Sequence, residues 1–349
     1  MRWDNLSAPP DEGVPERAAP AAPPLPLALP GAIARTFDTP GFAGMTFYEV
    51  RAKSIINRVP GASRVPFEWT INPYRGYSHA CLYCYARHTH TYLDLDAGAD
   101  FDRKVIVKVN AGELVRRELA APGWRGAHVA MGTNVDCYQR AEGRYRLMPQ
   151  IIEALRDFAN PFSILTKGTL ILRDLPLLRQ AAEVTRVGVS FSVGFVDEAL
   201  WRSVEPGTPS PRRRLDAVRA LADAGFAVGV LMAPILPGFT DTDESIDATV
   251  AAIAAAGATS VTPLALHLRP GAREWYAGWL GREHPRLVPR YRELYGAGAY
   301  APQAYQRELT ARVRMAARRH GLHRAEAGEN RRLPEPPPKA PPAEQLTLL

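Results

Sequence analysis

The feature that most constrains the fold is an alternation. Short β-branched or apolar runs at 67–71, 105–109, 128–131, 162–165, 187–193, 227–232 and 260–267 alternate with helical stretches at 113–119, 145–158, 170–182, 211–224, 243–256 and 271–280. Such alternation specifies parallel βα units, because a parallel strand pair needs a long crossover and a helix supplies it. Several runs are continuously apolar, as expected for strands covered on both faces. Ser210 and Asp243 stand where helices should be capped, and Gly225 and Gly257 stand where they should stop. A doubly wound sheet and a full or partial barrel both fit, and both place chemistry at the C-terminal ends of the strands.

The alternation is bounded by two regions of another kind. Residues 1–43 are rich in Pro and Ala with no apolar period, which predicts a disordered arm. Residues 333–343 form a second Pro-rich segment, predicted to be extended, within a tail spanning 333–349. The folded body is therefore expected over 44–282, with a helical extension over 283–332 that carries Arg312, Arg314, Arg318 and Arg319 in a basic stretch reaching toward Arg324. At 46% hydrophobic the body can bury a sizeable core. No run of 18 apolar residues suggests a membrane span, and no basic segment followed by an apolar core suggests a secretory signal, so a cytoplasmic location is expected. The net charge is +7, but 38 of the 43 basic residues are Arg in a chain also rich in Ala, Gly and Pro. That bias makes the charge weak evidence for phosphate binding, though it permits nucleic-acid affinity. Three cysteines are no disulfide framework; they point to metal or redox chemistry in a reducing compartment.

The most informative segment follows the first run: Asn72-Pro73-Tyr74-Arg75-Gly76-Tyr77-Ser78-His79-Ala80-Cys81-Leu82-Tyr83-Cys84-Tyr85-Ala86-Arg87. Cys81 and Cys84 lie three apart, so one turn aims both sulfurs at one metal. His79, His88 and His90 crowd the same loop. Spacing alone leaves three readings. Cys81 and Cys84 hold zinc with two histidines, or form a redox dithiol at a strand-to-helix junction, or hold an iron–sulfur cluster with a further ligand.

The surrounding residues resemble the cluster loop of the radical S-adenosylmethionine (SAM) superfamily, in the branch similar to spore photoproduct lyase. That pattern, Cys-x3-Cys-x2-Cys, follows Asn-Pro-Tyr-x-Gly and precedes an aromatic residue and Ala-Arg. Asn72-Pro73-Tyr74 and Cys84-Tyr85-Ala86-Arg87 match it. Further matches are Gly132-Thr133-Asn134-Val135-Asp136, Ser163-Ile164-Leu165-Thr166-Lys167, Val189-Ser190-Phe191-Ser192 and Pro234-Ile235-Leu236-Pro237-Gly238, so the resemblance spans roughly residues 65–270. It implies an α/β fold, a partial (β/α)6 TIM-like barrel of radical SAM type, whose mouth holds a [4Fe–4S] cluster and SAM. It also implies an enzyme that cleaves SAM to a 5′-deoxyadenosyl radical, for repair or modification of a nucleic-acid base, DNA being the better guess. An electron donor such as flavodoxin or ferredoxin is implied as a partner.

The sequence departs from the family at one position. The first cysteine of the pattern falls on Tyr77. The family holds three irons by three thiolates and leaves the fourth for the amino and carboxylate groups of SAM. Cys81 and Cys84 supply two; Cys137, Tyr77 and His79 are the candidates for the third, and Cys137 is alternatively a hydrogen-atom donor or a buried small residue. A catalytically degenerate, DNA-associated scaffold is the alternative if no cluster is held. Among the remaining positions the resemblance places Tyr83 at the adenine, and Gly132, Thr133 and Asn134 at the SAM amino group. Lys167 falls at the SAM carboxylate, and Ser190 and Ser192 at the carboxylate or ribose. His267 ends the last strand run and is a candidate for facing substrate.

The segment 344–349 reads Glu-Gln-Leu-Thr-Leu-Leu. It resembles the short peptide that docks bacterial proteins to the DNA sliding clamp. An extended tail would seat Leu346, Leu348 and Leu349 in apolar pockets while Gln345 hydrogen-bonds.

Overall fold

The computed structural model describes residues 29, 31–60, 65–296 and 298–322. Arg324, the Pro-rich segment 333–343, the clamp-like peptide at 345–349 and most of the expected N-terminal arm lie outside the described residues.

Six strands run parallel in chain order: β1 (Trp69–Ile71), β2 (Val129–Met131), β3 (Phe162–Thr166), β4 (Val187–Ser192), β5 (Val228–Ile235) and β6 (Ser260–Ala265). Each pairs with the next. One row of the register runs through Ile71, Met131, Ile164, Val189 and Val228, all buried. Burying each such side chain contributes about 1.5–3 kcal/mol, so the apolar runs of the sequence are what hold the sheet together. An antiparallel strand, Ile56–Arg58, covers the free edge of β1. Among the described residues the sheet stays open between that strand and β6, which is the partial barrel the sequence implied.

The crossovers are the expected helices. They include Ala111–Leu119, Leu147–Asp157, Leu175–Val184, Pro211–Asp223 and Asp243–Ala255. Ser210 caps the fourth, accepting a hydrogen bond from the backbone N–H of Arg213. Thr242, not Asp243, caps the fifth; Asp243 is its first residue and instead meets Arg312 at 2.7 Å. Gly225 and Gly257 follow the two helix ends with φ of +93° and +79°.

Three further expectations change. The run at 105–109 is no barrel strand. Lys104–Lys108 belongs to a second sheet of four strands, ordered Ile33–Arg35, Thr46–Val50, Lys104–Lys108 and Tyr74–Arg75. The apolar run is a strand, as expected, but only tertiary pairing decides which sheet a short strand joins. The expected disordered arm does not reach residue 43, since Ile33–Arg35 pairs with Thr46–Val50. Finally, the basic stretch is partly consumed inside the fold. The helix Gln303–Arg319 packs on Asp243–Ala255, where Arg319 and His320 meet Asp247 at 2.6 Å and 3.1 Å while Arg312 meets Asp243.

Candidate active site

The cysteine loop is pinned at its start by the second sheet. Tyr74 and Arg75 pair with Val107 and Ile106, so the chain leaves the end of β1 and turns across the barrel mouth. The loop then hangs on backbone hydrogen bonds from Tyr77 to Phe101, from Leu82 to Val204 and from Gly207 to His79. At Gly207 an added Cβ would lie 1.8 Å from the Ser78 carbonyl oxygen, so only glycine admits this approach. Arg87, from the Ala-Arg part of the motif, is wholly buried. Its guanidinium donates to the Cys81 and Gly98 carbonyls, and its Nη2 lies 2.9 Å from both carboxylate oxygens of Asp102. These charge-assisted hydrogen bonds make Arg87 the brace that holds the two-cysteine turn in shape.

That turn is closed by the Cys84 N–H on the Cys81 carbonyl. Both sulfurs are buried free thiols, and burial raises both thiol pKa values. The Tyr77 hydroxyl lies 3.2 Å from Cys84 Sγ. Burial drops the His79 imidazolium to about 4, leaving the ring neutral near pH 7. Its Nδ1 is buried without a hydrogen bond, 3.6 Å from Asp136. The other histidines of the loop point away. His88 Nδ1 meets the Tyr85 carbonyl at 3.1 Å, and His90 Nε2 meets the Lys104 carbonyl at 2.8 Å. Among the described residues no three His, Cys, Asp or Glu side chains gather as a metal-binding group.

Facing the thiols across a cavity of about 150 Å³ are the ends of the strands. Gly132, Thr133 and Asn134 follow β2, Lys167 follows β3, and Ser192 ends β4; all line the cavity together with Cys81, Cys84, Tyr77, His79 and Tyr83. Gly132 has φ +77°, and an added Cβ would fall 1.7 Å from the Leu165 carbonyl oxygen. Asp136 ties two strand ends together, accepting from Thr166 Oγ1 and the Lys167 N–H, both at 2.6 Å. Ser190, buried one inward step down β4, does not line the cavity. Nor does Cys137. It is fully buried on the side of Asp136 and Glu142, which together with burial push its thiol pKa well up.

The sequence reading missed what holds Lys167. Its ammonium contacts Ser192 Oγ at 2.9 Å, Tyr83 Oη at 3.4 Å and Glu205 Oε1 at 2.8 Å. Glu205 is buried and also takes hydrogen bonds from Tyr83 and from Arg214, itself buried. Burial and the Arg214 cation pull the Lys167 pKa down to about 7, while Cys81 and Asp136 oppose that fall. Lys167 and Arg214 are met by Glu205 and the nearby Asp136, so the corner is a mixed charge cluster in which the protonated Lys167 is the group suited to a carboxylate guest. In the sequence, Glu205 and Arg214 sit in a Pro/Gly loop and an arginine triplet that look like ordinary surface; no local signal marks them.

A larger cavity of about 570 Å³ adjoins the first and shares Tyr85, Thr133, Asn134 and His267 with it. Arg58, Arg75, Lys108 and Arg269 line it, with no Asp or Glu among its described lining residues. Along its rim His267 stacks on Tyr300 with ring centroids 5.5 Å apart, and Tyr85 lies 5.6 Å from His267. Arg269 covers Tyr85 at 5.6 Å and hydrogen-bonds Tyr300.

The radical SAM superfamily model matches residues 71–250, the barrel and the cysteine loop together. The chain belongs to that superfamily and is an enzyme of the radical SAM type. An uncharacterized protein of Mycobacterium tuberculosis is 50% identical over 314 residues, covering 89% of this chain and 91% of its own. An uncharacterized protein of Methanocaldococcus jannaschii is 28% identical over 203 residues, 58% of this chain and 72% of its own. Among solved structures, spore photoproduct lyase complexed with dinucleoside spore photoproduct aligns with a TM-score of 0.60 at 16% identity, over 80% of this chain and 81% of that one. The fold is thus shared with spore photoproduct lyase. The family implies a [4Fe–4S] cluster and SAM, and the residues present fit both. Two buried thiols share one turn, a phenol lies beside them, and the Lys167 ammonium, held by Glu205, stands opposite.

Proposed function

We propose that the inner cavity holds the cluster through Cys81 and Cys84 and SAM against the strand ends, and that the outer cavity presents a nucleic-acid base, in DNA, for radical repair or modification. The single observation that carries this reading is that the two cavities share a wall. A substrate seated against Tyr85 and His267 lies next to the cofactor site. The outer cavity's arginines, Arg58, Arg75 and Arg269, suit a phosphate backbone, and the Tyr85–His267–Tyr300 group offers flat faces for a base to stack on. A relative in fold binds a dinucleoside lesion, which agrees with that chemistry.

When bound, the cluster and SAM supply a 5′-deoxyadenosyl radical that takes a hydrogen atom from substrate. The chain's own residues orient and enclose. Lys167, held by Glu205 and Ser192, presents its ammonium to the SAM carboxylate. Gly132 lets the backbone at Thr133 and Asn134 come close to the amino group. Tyr83 closes the wall beside Lys167, and the loop's burial keeps water from the reacting atoms. The electron enters from a small donor such as flavodoxin or ferredoxin, and the peptide at 345–349 is a candidate link to the sliding clamp.

The test is anaerobic reconstitution with iron and sulfide, then dithionite and SAM. The reading expects 5′-deoxyadenosine, formation of which is lost in Cys81→Ala, and oligonucleotide binding that weakens with salt. A reconstituted protein that never cleaves SAM overturns it.

A further inference from the structure

We infer that the phenolic oxygen of Tyr77 is the third protein ligand of the cluster, so that the chain holds it through a Cys81–Cys84–Tyr77 set. The inference rests on the cluster reading above and goes beyond it by assigning the position where the family's cysteine is missing.

Placement is the first argument. Tyr77, Cys81 and Cys84 lie on one short loop, all three are buried, and all three line the inner cavity. The Tyr77 hydroxyl is turned toward Cys84 Sγ at 3.2 Å. The ring has little freedom to turn elsewhere: Phe101 meets it edge-on at 5.6 Å and His79 at 5.0 Å, and its own N–H is tied to the Phe101 carbonyl.

The other candidates are not so placed. Cys137 does not line the cavity and sits against Asp136 and Glu142. His79 lines it, but its Nδ1 is turned to Asp136 at 3.6 Å. His88 and His90 are engaged with backbone carbonyls. The third donor at the thiols is a phenol.

Charge is the second argument. A phenolate carries the same single negative charge as the thiolate it replaces, whereas a neutral imidazole does not. Substituting Tyr for Cys therefore preserves the charge that the Lys167–Glu205–Arg214 corner faces. Tyrosinate is a known ligand of protein-bound iron, as in the haem of catalase. The chemistry is simple substitution. The phenol and both thiols would each lose one proton to bulk water as one Fe–O and two Fe–S bonds replace bonds to labile ligands of the incoming cluster, which leave to solvent, with no electrons transferred.

The experiment compares the anaerobically reconstituted full chain with Tyr77→Phe and Tyr77→Cys. Readouts are iron and sulfide content, Mössbauer spectra and resonance Raman excited in the phenolate-to-iron charge-transfer band; thermal melts check that each variant folds. The expected result is about four irons per chain for the wild type, as a [4Fe–4S] cluster requires, with tyrosinate ring modes enhanced. Tyr77→Phe loses those modes and at least one iron per cluster. Tyr77→Cys keeps the irons and loses the modes. Equal iron and unchanged spectra in wild type and Tyr77→Phe overturn the ligand assignment and leave the enzyme reading intact. A wild type that takes up no cluster while Tyr77→Cys does overturns the ligand assignment and, for the natural chain, the enzyme reading with it. No cluster in either protein overturns both.

Discussion

The two cavities at the barrel mouth handle charge in opposite ways. At the inner one cations and carboxylates mix: Glu205, behind the wall, answers Lys167 and Arg214, and the buried Asp136 accepts from Thr166 and the Lys167 N–H. The outer one is lined by Arg58, Arg75, Lys108 and Arg269 with no carboxylate among its described lining residues, though Arg58 meets Glu68 at 3.6 Å outside that lining. A paired network fixes side chains in place and suits a small guest of defined shape. A wall lined by basic groups and open to water suits a large anion. On the proposed reading the inner pocket takes the cofactor and the outer one the substrate.

That contrast can be broken in four ways. The largest effect should come from the thiols: Cys84→Ala removes one of only two thiolates and should abolish both iron retention and SAM cleavage, measured by iron assay and 5′-deoxyadenosine formation. Next is Glu205→Gln, which strands two buried cations. Breaking a buried pair costs about 3–5 kcal/mol, so a large fall in melting temperature and weaker SAM binding are expected; an unchanged melt would show that the network is not what holds this corner. Third, Arg58→Ala with Arg269→Ala should leave SAM binding intact. Oligonucleotide affinity should fall, and the salt slope should flatten by about 0.7–0.9 for each phosphate no longer neutralised. An unchanged slope would remove these cations from the nucleic-acid surface. The smallest effect belongs to Arg312→Ala on the basic helix. Its pair with Asp243 is exposed and worth about 0–1 kcal/mol, and oligonucleotide affinity should barely move. A large fall there would shift the binding face from the mouth to the helix.

Much of the site was legible because it is local. Cys81 and Cys84 are spaced by one turn, and Lys167, Ser192 and Gly132–Asn134 stand at strand ends that the alternation itself locates. Lys167 stood out because lysine is rare in this chain. Glu205 and Arg214 were illegible because their role depends on a loop folding back under the mouth, where burial turns ordinary residues into a charge network. The strand at Lys104–Lys108 was misassigned for a similar reason. Its pattern shows that it is a strand, but its neighbours Thr46–Val50 and Tyr74–Arg75 are set by long-range pairing. The basic stretch misled because charge in sequence does not reveal whether a partner, here Asp243 or Asp247, lies across the packed interface.

By itself the sequence determined alternating parallel βα units and the two-thiol turn, because period and spacing act over a few residues and dictate backbone conformation and crossover geometry, while the choice of a partial barrel over a doubly wound sheet rested on the family resemblance. Only the tertiary structure decided that Cys137 lies off the cavity and that Tyr77 lies on it with its hydroxyl at Cys84. It also decided that cations far apart in the chain share one wall. Those outcomes depend on which side of the packed sheet each side chain leaves, and contacts between distant segments settle that.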